Sequence, residues 1–161
     1  MSLRDKIDRA VRESSQAENV ELRLQEWKAA VSELYRDIEN WLSVFIDESG
    51  IHLVRDVISV HEDLTGEYEI ERLDIEIGNE VIRIEPKGTY VIGAMGRLDI
   101  YRLGHGQPTL IIRGDRGDGT LGWMTVSTSD RPALTALTKE SFEELMDGYL
   151  EDYAPQSRGM K

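Results

Sequence analysis

The chain contains no cysteine. Disulfide bridges, thiolate catalysis and cysteine-held metal sites are therefore excluded, and the composition is compatible with a reducing compartment. Histidine is scarce as well. His52, His61 and His105 are too widely spaced for a helical metal pair, and in a continuous strand His52 and His61 point to opposite faces. His61-Glu62-Asp63 places three potential ligands side by side, but adjacent side chains diverge. No metal or cofactor is expected. Long apolar runs are missing too: none approaches the roughly 20 residues that span a bilayer, and there is no secretory hydrophobic segment. The expectation is a soluble, cytoplasmic protein without a membrane partner.

Positive charge is also in short supply. Against 31 acidic residues stand 19 lysines and arginines, a net charge of −12. The imbalance is local. Residues 62–85 carry nine carboxylates against Arg72 and Arg83, and residues 139–152 carry six against Lys139, whereas residues 86–138 are slightly basic. Non-specific nucleic-acid binding depends on Lys and Arg neutralising phosphates, so no nucleic-acid partner is expected. An acidic face suits solubility or a basic protein partner.

Catalytic and nucleotide signatures are likewise wanting. The glycines between Gly88 and Gly96 lack dinucleotide-fingerprint spacing, and the run after them, Arg97-Leu98-Asp99-Ile100, has strand rather than helix character. Ser127 and Ser129 lack the glycine frame of a nucleophile elbow. Arg113-Gly114-Asp115 and Arg116-Gly117-Asp118 are turn formers suited to a long hairpin tip, and Asp115 and Asp118 lack EF-hand spacing. Carboxylates are too numerous for any acid–base pair to be singled out.

What is present is a series of short apolar runs divided by turn signals. Leu73, Ile75 and Ile77 alternate with Asp74 and Glu76 at the period of a half-buried strand. Gly78-Asn79 then forms a two-residue hairpin link to Val81-Ile82-Arg83-Ile84, because its central positions require positive φ. Glu85-Pro86-Lys87-Gly88 predicts a turn, Thr89 to Ile92 a strand, and Gly93 to Gly96 another turn. Further strands are expected at Arg97–Leu103, Thr109–Arg113 and Gly122–Val126, with a loop over Gly104–Pro108. Upstream, the β-branched run Ile51 to Val60 is assigned to a strand although helical spacing also fits, and Asp63–Gly66 turns it into Tyr68–Ile77. Tyr68 and Ile70 are out of phase with Leu73, which predicts a bulge near Glu71-Arg72.

Helices flank this meander. Ser2 caps a short first helix bearing Leu3, Ile7, Ala10 and Val11 on one face; Ser14 and Ser15 are expected to end it, and Ser15-Gln16-Ala17-Glu18 to start a longer one. In the longer helix Leu24, Trp27, Val31, Leu34, Ile38, Trp41 and Phe45 alternate at spacings of three and four, widened by Ala30, Tyr35, Leu42 and Ile46. Gly50 suits the position after its end. Pro132 to Leu137 is expected to be a connector, and Thr138 to cap a final helix with Phe142, Leu145, Met146, Tyr149 and Leu150 on its apolar stripe.

The expected fold is α+β in one compact domain, as the length favours. It comprises a helical arm of one short and one long helix (1–50), an antiparallel meander of six or seven strands forming a curved sheet or half-barrel with a closing helix (51–152), and a flexible tail (153–161). The leading functional expectation is a non-catalytic interaction or regulatory module that self-associates as a homodimer or holds a basic protein. Its candidate surface is Trp27, Leu34, Ile38, Trp41 and Met95. Ala94-Met95 lies at a turn where polar residues are usual, so that turn is expected to be covered by the N-terminal helix or by a second subunit. The alternative is a small-ligand or anion-binding domain, an enzyme included, with Arg97, Tyr101, Arg102 and Trp123 lining a pocket in the curved sheet.

Overall fold

The computed structural model describes residues 2–91, 94–126 and 133–151. Helix α1 (Leu3–Trp41) and the short helix α2 (Ser43–Ser49) lead into strands β1 (Ile51–Glu62), β2 (Gly66–Ile77), β3 (Glu80–Gly88), β4 (Arg97–Arg102), β5 (His105–Asp115), β6 (Leu121–Val126) and β7 (Leu134–Ala136). Helix α3 (Lys139–Leu150) follows. The strands form one open antiparallel sheet whose spatial order, β1 to β7, repeats the order of the chain. This is the α+β architecture with a seven-stranded meander that the apolar spacing implied. The expected tail and the Ser127–Arg131 stretch lie outside the described residues.

Ser2 opens α1 with a capping box: its hydroxyl accepts from the Asp5 amide while the Asp5 carboxylate accepts from the Ser2 amide. The break expected at Ser14-Ser15 does not occur. Serine costs a helix interior only about half a kcal/mol relative to alanine, and the flanking residues are good helix formers, so the chain continues to Trp41. The interruption falls instead at Leu42 (φ −95°, ψ 2°), and α2 ends at Gly50 in the left-handed conformation. The arm thus has one long and one short helix in the reverse of the expected order.

Both long helices cover one face of the sheet. Register aligns Leu73 with Ile84 and Ile100, and Ile75 with Ile82, in rows across β2, β3 and β4. These side chains, with Leu98 and Ile111, are fully buried, and they pack with Trp27, Val31, Leu34, Tyr35 and Ile38 of α1 and with Phe142 and Met146 of α3. The Trp41 and Phe142 rings, 5.5 Å apart, join the two helices. Thr138 caps α3 as expected, receiving the Ser141 amide.

Five local expectations are corrected. The β1–β2 pairing runs unbroken from Ile51↔Ile77 to Glu62↔Gly66, without a bulge at Glu71-Arg72. β3 pairs with β2 only from Leu73 to Ile77, so the outer half of the hairpin is a two-stranded ribbon, which twists more than a sheet. That twist turns Tyr68 and Ile70 inward where Leu73 and Ile75 are buried further along. Pro86 does not begin a turn: β3 continues to Gly88, with a register shift between Pro86 and Gly88 that accommodates the missing amide. Thr89-Tyr90-Val91 is not a strand, because a side chain described below takes the Thr89 and Tyr90 amides; Ile92 and Gly93 are outside the described residues. Finally, Leu103-Gly104 is the whole turn before β5, with Pro108 at a ladder irregularity, and Leu134–Ala136 is a strand rather than a connector.

Candidate functional site

The candidate surface residues fall on α1 and on the turn it covers. Trp27, Leu34 and Ile38 are at most 1% exposed. Within the single chain they face the sheet, which leaves other side chains of α1 as the surface open to a second molecule. Trp41 is half-buried against Phe142, and Trp27 packs on Trp123 with ring centroids 5.9 Å apart. Met95 is half-buried, and its amide donates to the Arg113 carbonyl. The expectation that this turn is covered holds, and α1 supplies the cover. Gly96 (φ 151°) lies so close beneath the Trp27 ring that a Cβ there would overlap it. Arg23 donates to the Thr89 carbonyl at 2.5 Å and to the Thr89 hydroxyl at 3.2 Å, and stacks over the Tyr90 ring.

The far end of β1 grips the same turn. Glu62 accepts the Thr89 amide at 3.0 and 3.1 Å, the Tyr90 amide at 2.9 Å and the Tyr68 hydroxyl at 2.5 Å. One carboxylate therefore replaces the strand ladder that Thr89-Tyr90 lacks, in charge-assisted bonds. Burial, with the Glu62 carboxylate adding to it, pushes the Tyr68 phenol well above its ordinary value. Tyr35, whose hydroxyl donates to the Glu71 carbonyl at 2.7 Å, is raised still further, chiefly by burial.

The four pocket candidates do not converge. Along β4, Arg97 and Tyr101 alternate with Arg102 and so lie on opposite faces. On the face away from the helices, Arg97 forms a bidentate pair with Asp99 at 2.8 and 3.2 Å, and Tyr101 donates to Glu85. Arg83 grips the mostly buried Asp74 in the same manner, and that hydrogen bond raises the guanidinium pKa. On the helix side, the 3% exposed Arg102 donates to Glu80 and to the Tyr149 carbonyl, and its bond holds the Glu80 carboxyl below the usual range. Trp123 is engaged with Trp27. The arginines of this set are held in ion pairs, with no shared cavity among the described residues. The Asp74–Arg83 pair was accessible from sequence through the Gly78-Asn79 hairpin, whose register sets the two opposite each other. No local pattern announced Glu62.

A cleft of about 300 Å³ does open between α1 and the ribbon, lined by Lys28, Val31, Ser32, Tyr35, Val57, Glu69, Ile70 and Glu71. Among the described residues no group of three or more histidines, aspartates and glutamates could hold a metal ion, and no helix is long and apolar enough to cross a membrane.

Among the described residues the least partnered stretch is the first half of α1. Every residue from Ser2 to Asn19 is exposed, including Leu3 (73%), Ile7 (52%) and Val11 (60%). Those side chains were legible as one helical face; that the face would remain bare was not. Comparison with protein-family models, curated proteins and solved structures finds no match to this chain.

Proposed function

We propose that the protein is a non-catalytic interaction module that presents the first half of α1 to another protein chain from a rigid sheet platform. The observation that carries this reading is the exposure of Leu3, Ile7 and Val11 on a helical segment that packs against nothing among the described residues. Helices in proteins gain most of their stability from burying an amphipathic face, and the stripe on this segment is left for a partner to bury. The −12 net charge favours a basic partner and speeds encounter with it. The ligand-binding alternative gains no support from Arg97 and Arg102, whose guanidinium groups are held by Asp99 and Glu80.

The test is a photo-reactive amino acid placed at Val11, and separately at Glu76 on the outer face of the sheet, in cells making the protein. Discrete protein adducts at position 11 and none at position 76 are expected. Absence of adducts at position 11 and at neighbouring arm positions would overturn the reading.

A further inference from the structure

We infer that the partner of this arm is a second copy of the chain, its own arm laid antiparallel along the first. The inference rests on the interaction reading above and adds the identity and direction of the partner. Three features of the arm lead to it.

The first is the direction of its stripe. Leu3, Ile7, Ala10, Ser14 and Ala17 are spaced four, three, four and three, a heptad seam. At 3.6 residues per turn this seam is rotated by roughly a third of a turn from the Trp27, Val31, Leu34, Ile38 face. It therefore points to the side of the surface that packs on the chain's own sheet. A longer sheet would not cover it; a separate helix would.

The second is charge. Residues 3–12 carry Arg4, Lys6, Arg9 and Arg12 against Asp5 and Asp8, while residues 13–22 carry Glu13, Glu18 and Glu21 and no basic residue. A parallel pair would set like charge beside like. An antiparallel pair sets the basic half of each arm against the acidic half of the other, so one sequence supplies both complementary surfaces, as a two-fold interface requires.

The third is the shape at the base of the arm. The tip of the β1–β2 ribbon brings Leu64, 63% exposed, beside Ala17 and Val20, where an open notch of about 560 Å³ lies. With the pair centred between Ala10 and Ser14, the other copy's Ile7 lies beside Ala17, at the edge of this notch.

Sedimentation velocity on the full chain tests the inference, with Ile7→Glu/Val11→Glu as the disrupting variant. A dimer is expected, weakened at least tenfold by the double substitution. Tryptophan fluorescence should be unchanged, since the arm does not contact Trp27 or Trp123. Because the chain has no cysteine, direction can be read by oxidation. An Ala10→Cys chain mixed with a Ser14→Cys chain should cross-link, whereas Leu3→Cys should not link to itself, its two copies standing at opposite ends of a pair roughly 27 Å long. Self-linking of Leu3→Cys would overturn the antiparallel arrangement. A monomer at 100 µM, or a dimer indifferent to the double substitution, would overturn the second copy as partner. Adducts of another mass at position 11 would leave the broader interaction reading standing, so the two failures are distinguishable.

Discussion

The two halves of α1 share one unbroken helix and differ in what surrounds them. From Trp27 to Ile38 the helix buries five large side chains against the sheet, while from Leu3 to Asn19 every residue is exposed. Both halves have an apolar stripe at helical spacing. Periodicity therefore reports that a face seeks burial without naming what buries it. The distinction lies in residue size and in rotation about the axis: tryptophan, leucine and isoleucine reach the sheet, and the smaller seam of the arm points elsewhere.

The sharpest way to break this contrast is a pair of truncations. Trp27→Ala should lower unfolding free energy by about 3–5 kcal/mol in denaturant titration. Ile7→Ala, measured at dilutions that keep the chain monomeric, should cost less than about 0.5 kcal/mol. Equal losses would mean that the arm packs on its own chain. Next in size, Glu62→Ala should cost about 1.5–3 kcal/mol, since it strips two backbone amides and the Tyr68 hydroxyl of a charged acceptor. Hydrogen exchange at Thr89 and Tyr90 should accelerate with it.

Smaller at neutral pH is Tyr35→Phe, about 1 kcal/mol for the bond to the Glu71 carbonyl. Its signature lies in alkali. Tyr35 is held above the ordinary tyrosine value of 10.0 when folded, so its contribution is fully present below that value and is lost as pH rises beyond it, where the unfolded chain ionises first. The phenylalanine variant should lose stability less steeply above pH 10, as followed by thermal unfolding against pH. The smallest effect belongs to the arm: Ser2→Ala should cost about 0.5–1 kcal/mol of capping, confined to the first turn. Faster exchange of the Lys6 amide, which donates to the Ser2 carbonyl, should report it without a change in melting temperature.

Most of the fold was legible because its signals are local. Leu73-Asp74-Ile75-Glu76-Ile77 and Gly78-Asn79 define a hairpin by themselves, and Thr138 with Ser141 marks the start of α3. The misread segments are those where a distant group decides the outcome. Thr89 and Tyr90 are fit for a strand by composition, but the Glu62 carboxylate takes their amides. Tyr68 and Ile70 are turned inward by the twist of a ribbon that β3 leaves unpaired. At the candidate site, sequence marked the apolar helix correctly as an amphipathic element. It could not tell that Trp27, Leu34 and Ile38 would face the chain's own sheet, whereas the opposite faces of Arg97 and Arg102, an odd spacing in a strand, already followed from the period of two.

The sheet's spatial order copies the order of the chain, and this has a consequence for synthesis. Each new strand leaving the ribosome finds its neighbour already made, so the hairpins can zip in succession. Helix α1, made before the sheet it packs on, has no such advantage. Its tryptophan-bearing face clusters with Leu73 and Ile84 but also with Leu98, Ile111 and Phe142, so part of this greasy surface stays uncovered until β5 and α3 are made. Until then the nascent chain is open to misassociation there, which is where a chaperone or a sister chain would first find a hold.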